Sequence, residues 1–373
     1  MTGSTGWLRP VLLALFAPAM AASATAADSI VTRDHRVRVV SIAPAIAGQP
    51  VDLYVRERVS SRVGTRSRHD KVVLFVHGAG TPAEVSFDVP YAGYSWMAHL
   101  AAAGYDVFSV DMTGYGRSTR PKAMDDKCNL SAAQQKTFSV DCPQTYPGAL
   151  TNIGSDWHDI GAAVDYVRKL RGVERVTLVG WSQGGPRAGG WTAQHPERVE
   201  KLILLAPAYN RATTDTAPAL PVPGPVFTTQ SQAEFTANWE RQAPCAAQVD
   251  PRAAESVWSE MLKSEPVGAT WTPPVRRAPI ASSSWGWTRA RVQATKVPTL
   301  LLVGEHDKQV DPARVRELYD DLGSEKKVLV ELGCASHNAM WERNHRLLFD
   351  ASLEWLEKGT VSGRASGTLR LGE

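Results

Sequence analysis

Short apolar runs rich in β-branched residues recur along the chain at 71–76, 105–111, 176–179, 199–205, 297–303 and 327–331. Runs this short and this uniformly apolar predict strands covered on both faces. The stretches at 94–103, 156–170, 186–194, 312–322 and 344–358 read as helices. The spacing is plainest at 156–170, where Ile160, Ala163, Val164, Val167 and Leu170 share one helical face. Ahead of these, 37–42 and 51–59 read as two strands joined through Gly48-Gln49-Pro50, and 60–70 as a polar, basic connector. Strands alternating with helices predict an α/β fold: a mostly parallel sheet of about eight strands with helices on both faces, entered by an antiparallel pair.

Two stretches break the alternation. Residues 119–153 make an irregular, polar excursion carrying Cys128 and Cys142. Residues 211–296 begin with a proline-rich linker (Pro218, Pro221, Pro223, Pro225), continue through helix-like pieces at 232–241 and 253–263, and hold Trp239, Trp258, Trp271, Trp285 and Trp287. A structureless loop of that length is unusual in a compact domain, so a mainly helical cap is expected there, inserted into a core of 28–210 and 297–373. The tail after Gly359 is polar and is expected to be loose.

The first 27 residues fall outside this pattern. Arg9 precedes the apolar run Val11-Leu12-Leu13-Ala14-Leu15-Phe16-Ala17, and small residues lead to Ala26 and Ala27. That order predicts a secretory signal peptide cut near Ala26 or Ala27, and hence a secreted or periplasmic protein. The alternative is an uncleaved membrane anchor, against which the short apolar run broken by Pro18 argues. No later segment has the length and purity to span a bilayer. Export makes disulfides stable, and a local Cys128–Cys142 staple is the preferred pairing, with Cys245 and Cys334 left for a second bridge. Four cysteines allow three connectivities, and their spacing matches no zinc site. A net charge of +3 is too small to imply a nucleic-acid partner.

The chemistry centres on Val176-Thr177-Leu178-Val179-Gly180-Trp181-Ser182-Gln183-Gly184-Gly185. A buried strand that turns into a helix around G-x-S-x-G is a nucleophile elbow. A serine hydroxyl needs a base, and the base needs an orienting acid; in this kind of sheet both follow the serine on loops after later strands. The run ending at Val303 leads into Gly304-Glu305-His306-Asp307, and the last run leads into Gly333-Cys334-Ala335-Ser336-His337. His337 is therefore the candidate base and Asp307 the candidate acid, with Glu305 the fallback and His306 structural. Two convergent N–H donors should stabilise an oxyanion. One is expected from Gln183 and the other from Ala79 or Gly78 in the His77-Gly78-Ala79-Gly80 turn, with His77 itself structural.

These motifs, together with Asp111-Met112-Thr113-Gly114-Tyr115-Gly116-Arg117-Ser118, make the chain resemble an α/β-hydrolase of the serine-nucleophile, capped branch from about Val37 to Lys358. The resemblance implies a cap between the strand after the elbow and the strand bearing the acid, and neither metal nor organic cofactor. It is specific for the fold and the triad and weak for the substrate; a serine hydrolase acting on a small-molecule carboxylic ester is the expected reading. Dehalogenases and epoxide hydrolases of the family carry aspartate where this chain has Ser182. Proline iminopeptidases have Gly-Gly-Ser-Trp-Gly at the elbow, so an aminopeptidase ranks second. Acyltransferases, carbon–carbon bond hydrolases and cofactor-free perhydrolases share the triad, whereas a non-catalytic binding protein of this fold would usually have lost a member. Trp181 and some of the cap tryptophans are expected to line an apolar cleft.

Overall fold

The computed structural model describes residues 1–3, 6, 29–61, 71–221, 224–279 and 285–373. The signal-peptide expectation and most of the basic connector lie outside the described residues. The first strands are β1 (Ile30–Val40), β2 (Pro50–Ser60), β3 (Val72–Val76), β4 (Asp106–Val110), β5 (Val176–Trp181) and β6 (Val199–Leu205). They are followed by β7 (Thr228–Gln230), β8 (Val275–Arg277), β9 (Thr299–Gly304), β10 (Lys327–Leu332) and β11 (Gly367–Leu371).

Nine of these form one sheet in the order β1-β2-β4-β3-β5-β6-β9-β10-β11. β1 and β2 pair antiparallel, β2 pairs antiparallel with β4, and every later pairing is parallel. All residues of β3, β4, β5 and β9 are buried, which is why these runs are mostly apolar on both faces instead of alternating, with the buried Asp106 of β4 paired to Arg171. Within β3, Val72, Leu74 and Val76 face one core and Val73 and Phe75 the other. The first core is closed by helices Ile153–Arg171 and Pro312–Asp321, the second by Trp96–Ala102 and His345–Lys358. The long helix Ile153–Arg171 starts at an Asn152–Ser155 capping box and stops at Gly172 in the left-handed region.

The expectation of a loose tail is wrong. Residues 367–371 form β11, a ninth strand, parallel to β10 from Val328↔Gly367 to Leu332↔Leu371. Leu369 and Leu371 pack on the second core, while Arg370 points out and pairs with Glu305. Two alternating leucines are too weak a pattern to reveal an edge strand without its neighbour.

Residues 211–296 contain helices Gln232–Glu240, Pro251–Lys263 and Arg289–Ala294, plus the antiparallel pair β7·β8. This region is anchored to the rest of the molecule by polar contacts. Trp239 Nε1 donates to Glu342 at 3.0 Å, and Arg120 donates to Glu265 at 2.7 Å. Two disulfides are present, Cys128–Cys142 and Cys245–Cys334. The second ties the inserted region to the loop after β10 and spans 89 residues of sequence. Closing so long a loop removes much unfolded-state entropy. The double variant Cys245→Ser/Cys334→Ser is expected to lose about 2–4 kcal/mol in chemical denaturation. An unchanged midpoint and slope would show that this bond adds nothing to the folded state. No described helix is long and apolar enough to cross a membrane.

Candidate active site

Ser182 sits at the carboxyl end of β5 with φ +56°. A left-handed backbone at a non-glycine residue costs on the order of 1–3 kcal/mol, so the surroundings must hold it. Its N–H donates to Leu205 O at 2.9 Å, and its carbonyl accepts from Gly185 N at 2.8 Å and Ala208 N at 3.0 Å. The flanking glycines are demanded by space. A Cβ on Gly180 would lie 2.4 Å from Gly184 O, and one on Gly184 would lie 2.4 Å from Val76 O. The chain then makes one widened π-type turn, Gly185–Gly189, before the short α-helix Gly190–Gln194. Such widened turns are common at functional sites.

His337 and Asp307 arrive on the loops after β10 and β9. His337 Nδ1 lies 2.8 Å from Asp307 Oδ2, and both residues are buried. The other oxygen, Asp307 Oδ1, accepts from the backbone N–H groups of Gln309 and Val310, each at 2.8 Å. Those two bonds fix which oxygen faces the ring. A carboxylate only accepts, so the arrangement puts the His337 proton on Nδ1 and leaves Nε2 as the basic nitrogen. Glu305 does not reach His337; its two oxygens take both Arg370 Nη groups at 3.0 and 2.9 Å. His306 points at Cys245 Sγ, 3.5 Å away.

The His77-Gly78-Ala79-Gly80 turn is held from below by Arg187, which is wholly buried with Asp156. Arg187 Nε donates to Asp156 Oδ2 at 2.8 Å, and Nη1 donates to the carbonyls of His77 and Gly78, each at 2.9 Å. These peptides are trans, so the N–H groups of Gly78 and Ala79 run antiparallel to those carbonyls and point away from Arg187. Of the two residues, Ala79 lines the cavity above Ser182. His77 donates from Nδ1 to Gly78 O (2.7 Å) and accepts at Nε2 from Met112 N (3.1 Å). Burial, reinforced by the Arg187 charge, pushes its pKa well down, so it stays neutral. Gln183 is also buried, directly after Ser182.

Ser182 and His337 line a common cavity of about 70 Å³ with Ala79, Trp181, Arg277 and Trp341. Trp181 does two things there. It walls the cavity, and its Nε1 donates to the His337 carbonyl at 2.9 Å. The expected lining by cap tryptophans is not found: none of Trp239, Trp258, Trp271, Trp285 and Trp287 lines this cavity. Trp239, Trp258 and Trp287 are buried in the cores, where their large apolar surface is best hidden. Residues 211–296 instead supply Gln230, Phe235, Asn238 and Arg277. The cleft is thus more polar than expected.

Sequence reasoning did not find Arg187, Arg277, Trp341 or Glu342. Glu342 is fully buried beneath the His337 loop, where it accepts from Ser336 N at 2.9 Å and from Trp239 Nε1 at 3.0 Å. Burial raises its pKa. For Arg187 a signal existed: it is the one charged residue between Ser182 and His195, in a segment otherwise of small, apolar and neutral polar residues. The others carry no local mark.

The model of the alpha/beta hydrolase fold family matches residues 71–344. No curated protein matches the chain at significant similarity. Among solved structures, the fold is shared with a meta-cleavage product hydrolase from Pseudomonas fluorescens IP01, at TM-score 0.54 and 15% identity over 87% of this chain and 98% of that one. A bromoperoxidase from Bacillus anthracis aligns at TM-score 0.52 and 15% identity, covering 87% of this chain and all of that one (100%). A thermophilic esterase from Thermogutta terrifontis aligns at 0.51 and 17%, covering 87% and 98%. Identities this low carry the architecture and no substrate. The family match spans most of the sequence, from β3 to the loop beyond His337, and the chain belongs to the alpha/beta hydrolase fold family.

Proposed function

We propose that this protein is an exported serine hydrolase that cleaves carboxylic esters through an acyl-enzyme on Ser182. The observation that carries the reading is a histidine held at Nδ1 by Asp307, 2.8 Å away, and facing the same cavity as a serine on a strained strand-to-helix turn. In this reading His337 Nε2 takes the Ser182 proton as the hydroxyl attacks the acyl carbon. It returns that proton to the leaving alcohol, and water repeats the cycle to release the acid. Asp307 keeps the imidazole in the working tautomer and stabilises its cationic form. Gln183 N–H and Ala79 N–H, with Gly78 N–H the alternative, take the oxyanion. Residues 211–296 act as the cap that roofs the cleft. The signal-like N-terminus and the two disulfides support an oxidising destination, secreted or periplasmic.

The test is hydrolysis of p-nitrophenyl esters from acetate to laurate, beside an aminoacyl anilide. The Ser182 cavity is small, about 70 Å³, and partly open to solvent. Turnover is therefore expected for the shortest acyl chains and to fall steeply towards laurate, with the anilide inert. Anilide cleavage without ester cleavage would reassign the protein as a peptidase. Silence on every substrate from folded protein would overturn the reading.

A further inference from the structure

We propose that Arg277 is the specificity determinant of the Ser182 cavity, and that the natural ester carries a free carboxylate which this guanidinium holds. The inference deepens the ester-hydrolase reading and rests on it. Arg277 ends β8 and lines the same cavity as Ser182 and His337. Its chain neighbour Arg276 is fully committed, donating to Glu265 at 2.7 Å and also pairing with Asp125. Arg120 likewise has Glu265, and Arg117 has Glu84 at 3.1 Å. Arg277 has no carboxylate partner among the described residues. Among the described residues its side chain makes one hydrogen bond, from Nη2 to Ala79 O at 3.3 Å, and Nε and Nη1 have no described partner.

Half-buried at the cleft, the guanidinium faces it without a carboxylate among the described residues, and its planar fork matches one on a ligand. Burial also pulls its pKa down, and the opposing influence of Tyr115 and of Glu234, which does not pair with it, is smaller. No acidic side chain lines the cavity among the described residues. Apart from Ser182 and His337, the other polar liners, Thr81, Gln230, Asn238, Gln309 and Asn338, are neutral. The space is reserved from the opposite side as well. Gly80 has φ +74°, and a Cβ there would lie 1.8 Å from Arg277 Nε. Any larger residue would evict the guanidinium from its place over the turn. The substrate class that fits is a short half-ester of a dicarboxylic acid, with its acyl carbon at Ser182 and its free carboxylate at Arg277.

The test compares the p-nitrophenyl half-esters of glutarate and adipate with the neutral valerate and hexanoate esters, in wild type, Arg277→Met and Arg277→Lys. Wild type should prefer the charged ester in kcat/KM. Arg277→Met should lower that preference about 10- to 100-fold, mostly through KM, and Arg277→Lys should restore part of it. The ratio separates recognition from structure: if Arg277 merely props the Ala79 turn, both esters fall together and the proposal is wrong. A second arm does not need turnover. In Ser182→Ala, monomethyl glutarate binding is read by fluorescence of Trp181 and Trp341. Adding Arg277→Met should weaken it at least tenfold, with dimethyl glutarate indifferent to the change. If no ester is cleaved, the hydrolase reading falls while this arm still decides the anion site. Equal binding of monomethyl and dimethyl glutarate would overturn it.

Discussion

Ser182→Ala is expected to lose ester turnover by a factor on the order of 10⁵ or more, with the fold and substrate binding retained. In the proposed mechanism the variant removes the atom that would form the acyl-enzyme while leaving the donors around it. A small residual rate over water should persist, because Ala79 and Gln183 would still stabilise an oxyanion formed by direct attack of water. Asp307→Asn should cost about 10⁴-fold in kcat for a different reason. Gln309 N–H and Val310 N–H hold Oδ1, so the new amide nitrogen would take the Oδ2 position, facing His337 Nδ1. An N–H donor there forces the imidazole proton onto Nε2, where the base should be. Glu305→Gln, by contrast, breaks a surface pair with Arg370 and should leave kcat within about twofold. These three rates, measured on one short ester, check the assignment. More than a hundredth of wild-type activity in pure Ser182→Ala would refute it.

Arg187→Met is expected to destabilise the protein by about 3–5 kcal/mol, the cost of leaving one charge of a buried pair alone. Asp156 has no exposure and would lose its counter-ion, and the carbonyls of His77 and Gly78 would lose a donor each. For a chain of this size the loss corresponds to a fall in Tm of roughly 5 °C. The double variant Arg187→Met/Asp156→Asn should recover part of it, since the lone buried carboxylate is gone. The activity of the single variant carries more information than its stability. The Arg187 Nη1 bonds set the direction of the Gly78 and Ala79 N–H groups, so kcat should drop while KM for a neutral ester moves little. A variant less than 1 kcal/mol below wild type, with normal kcat, would show that the turn is held by its own backbone.

The family, the α/β layering and the strand-end positions of Ser182, Asp307 and His337 were all legible in the sequence. Each depends on neighbours close along the chain. β3, β5 and β9 announce themselves because they are buried on both faces, and burial on both faces leaves an unbroken apolar run. The elbow announces itself because Gly180 and Gly184 collide with backbone if enlarged, within four residues of each other.

What stayed hidden depends on groups brought together from far apart. Arg187 is an odd charge in a segment of small residues until Asp156, 31 positions earlier, is placed against it. Arg277 looks like its neighbour Arg276, and what separates them is which carboxylates the fold pairs with each: Glu265 and Asp125 with one, and with the other none among the described residues. β11 is two leucines in a polar tail until β10 offers an edge. Local sterics and burial on both faces are written in short strings of residues and can be read there. Charge pairing, edge pairing and the polarity of a cleft are sums over groups distant in sequence, and only the folded chain performs them.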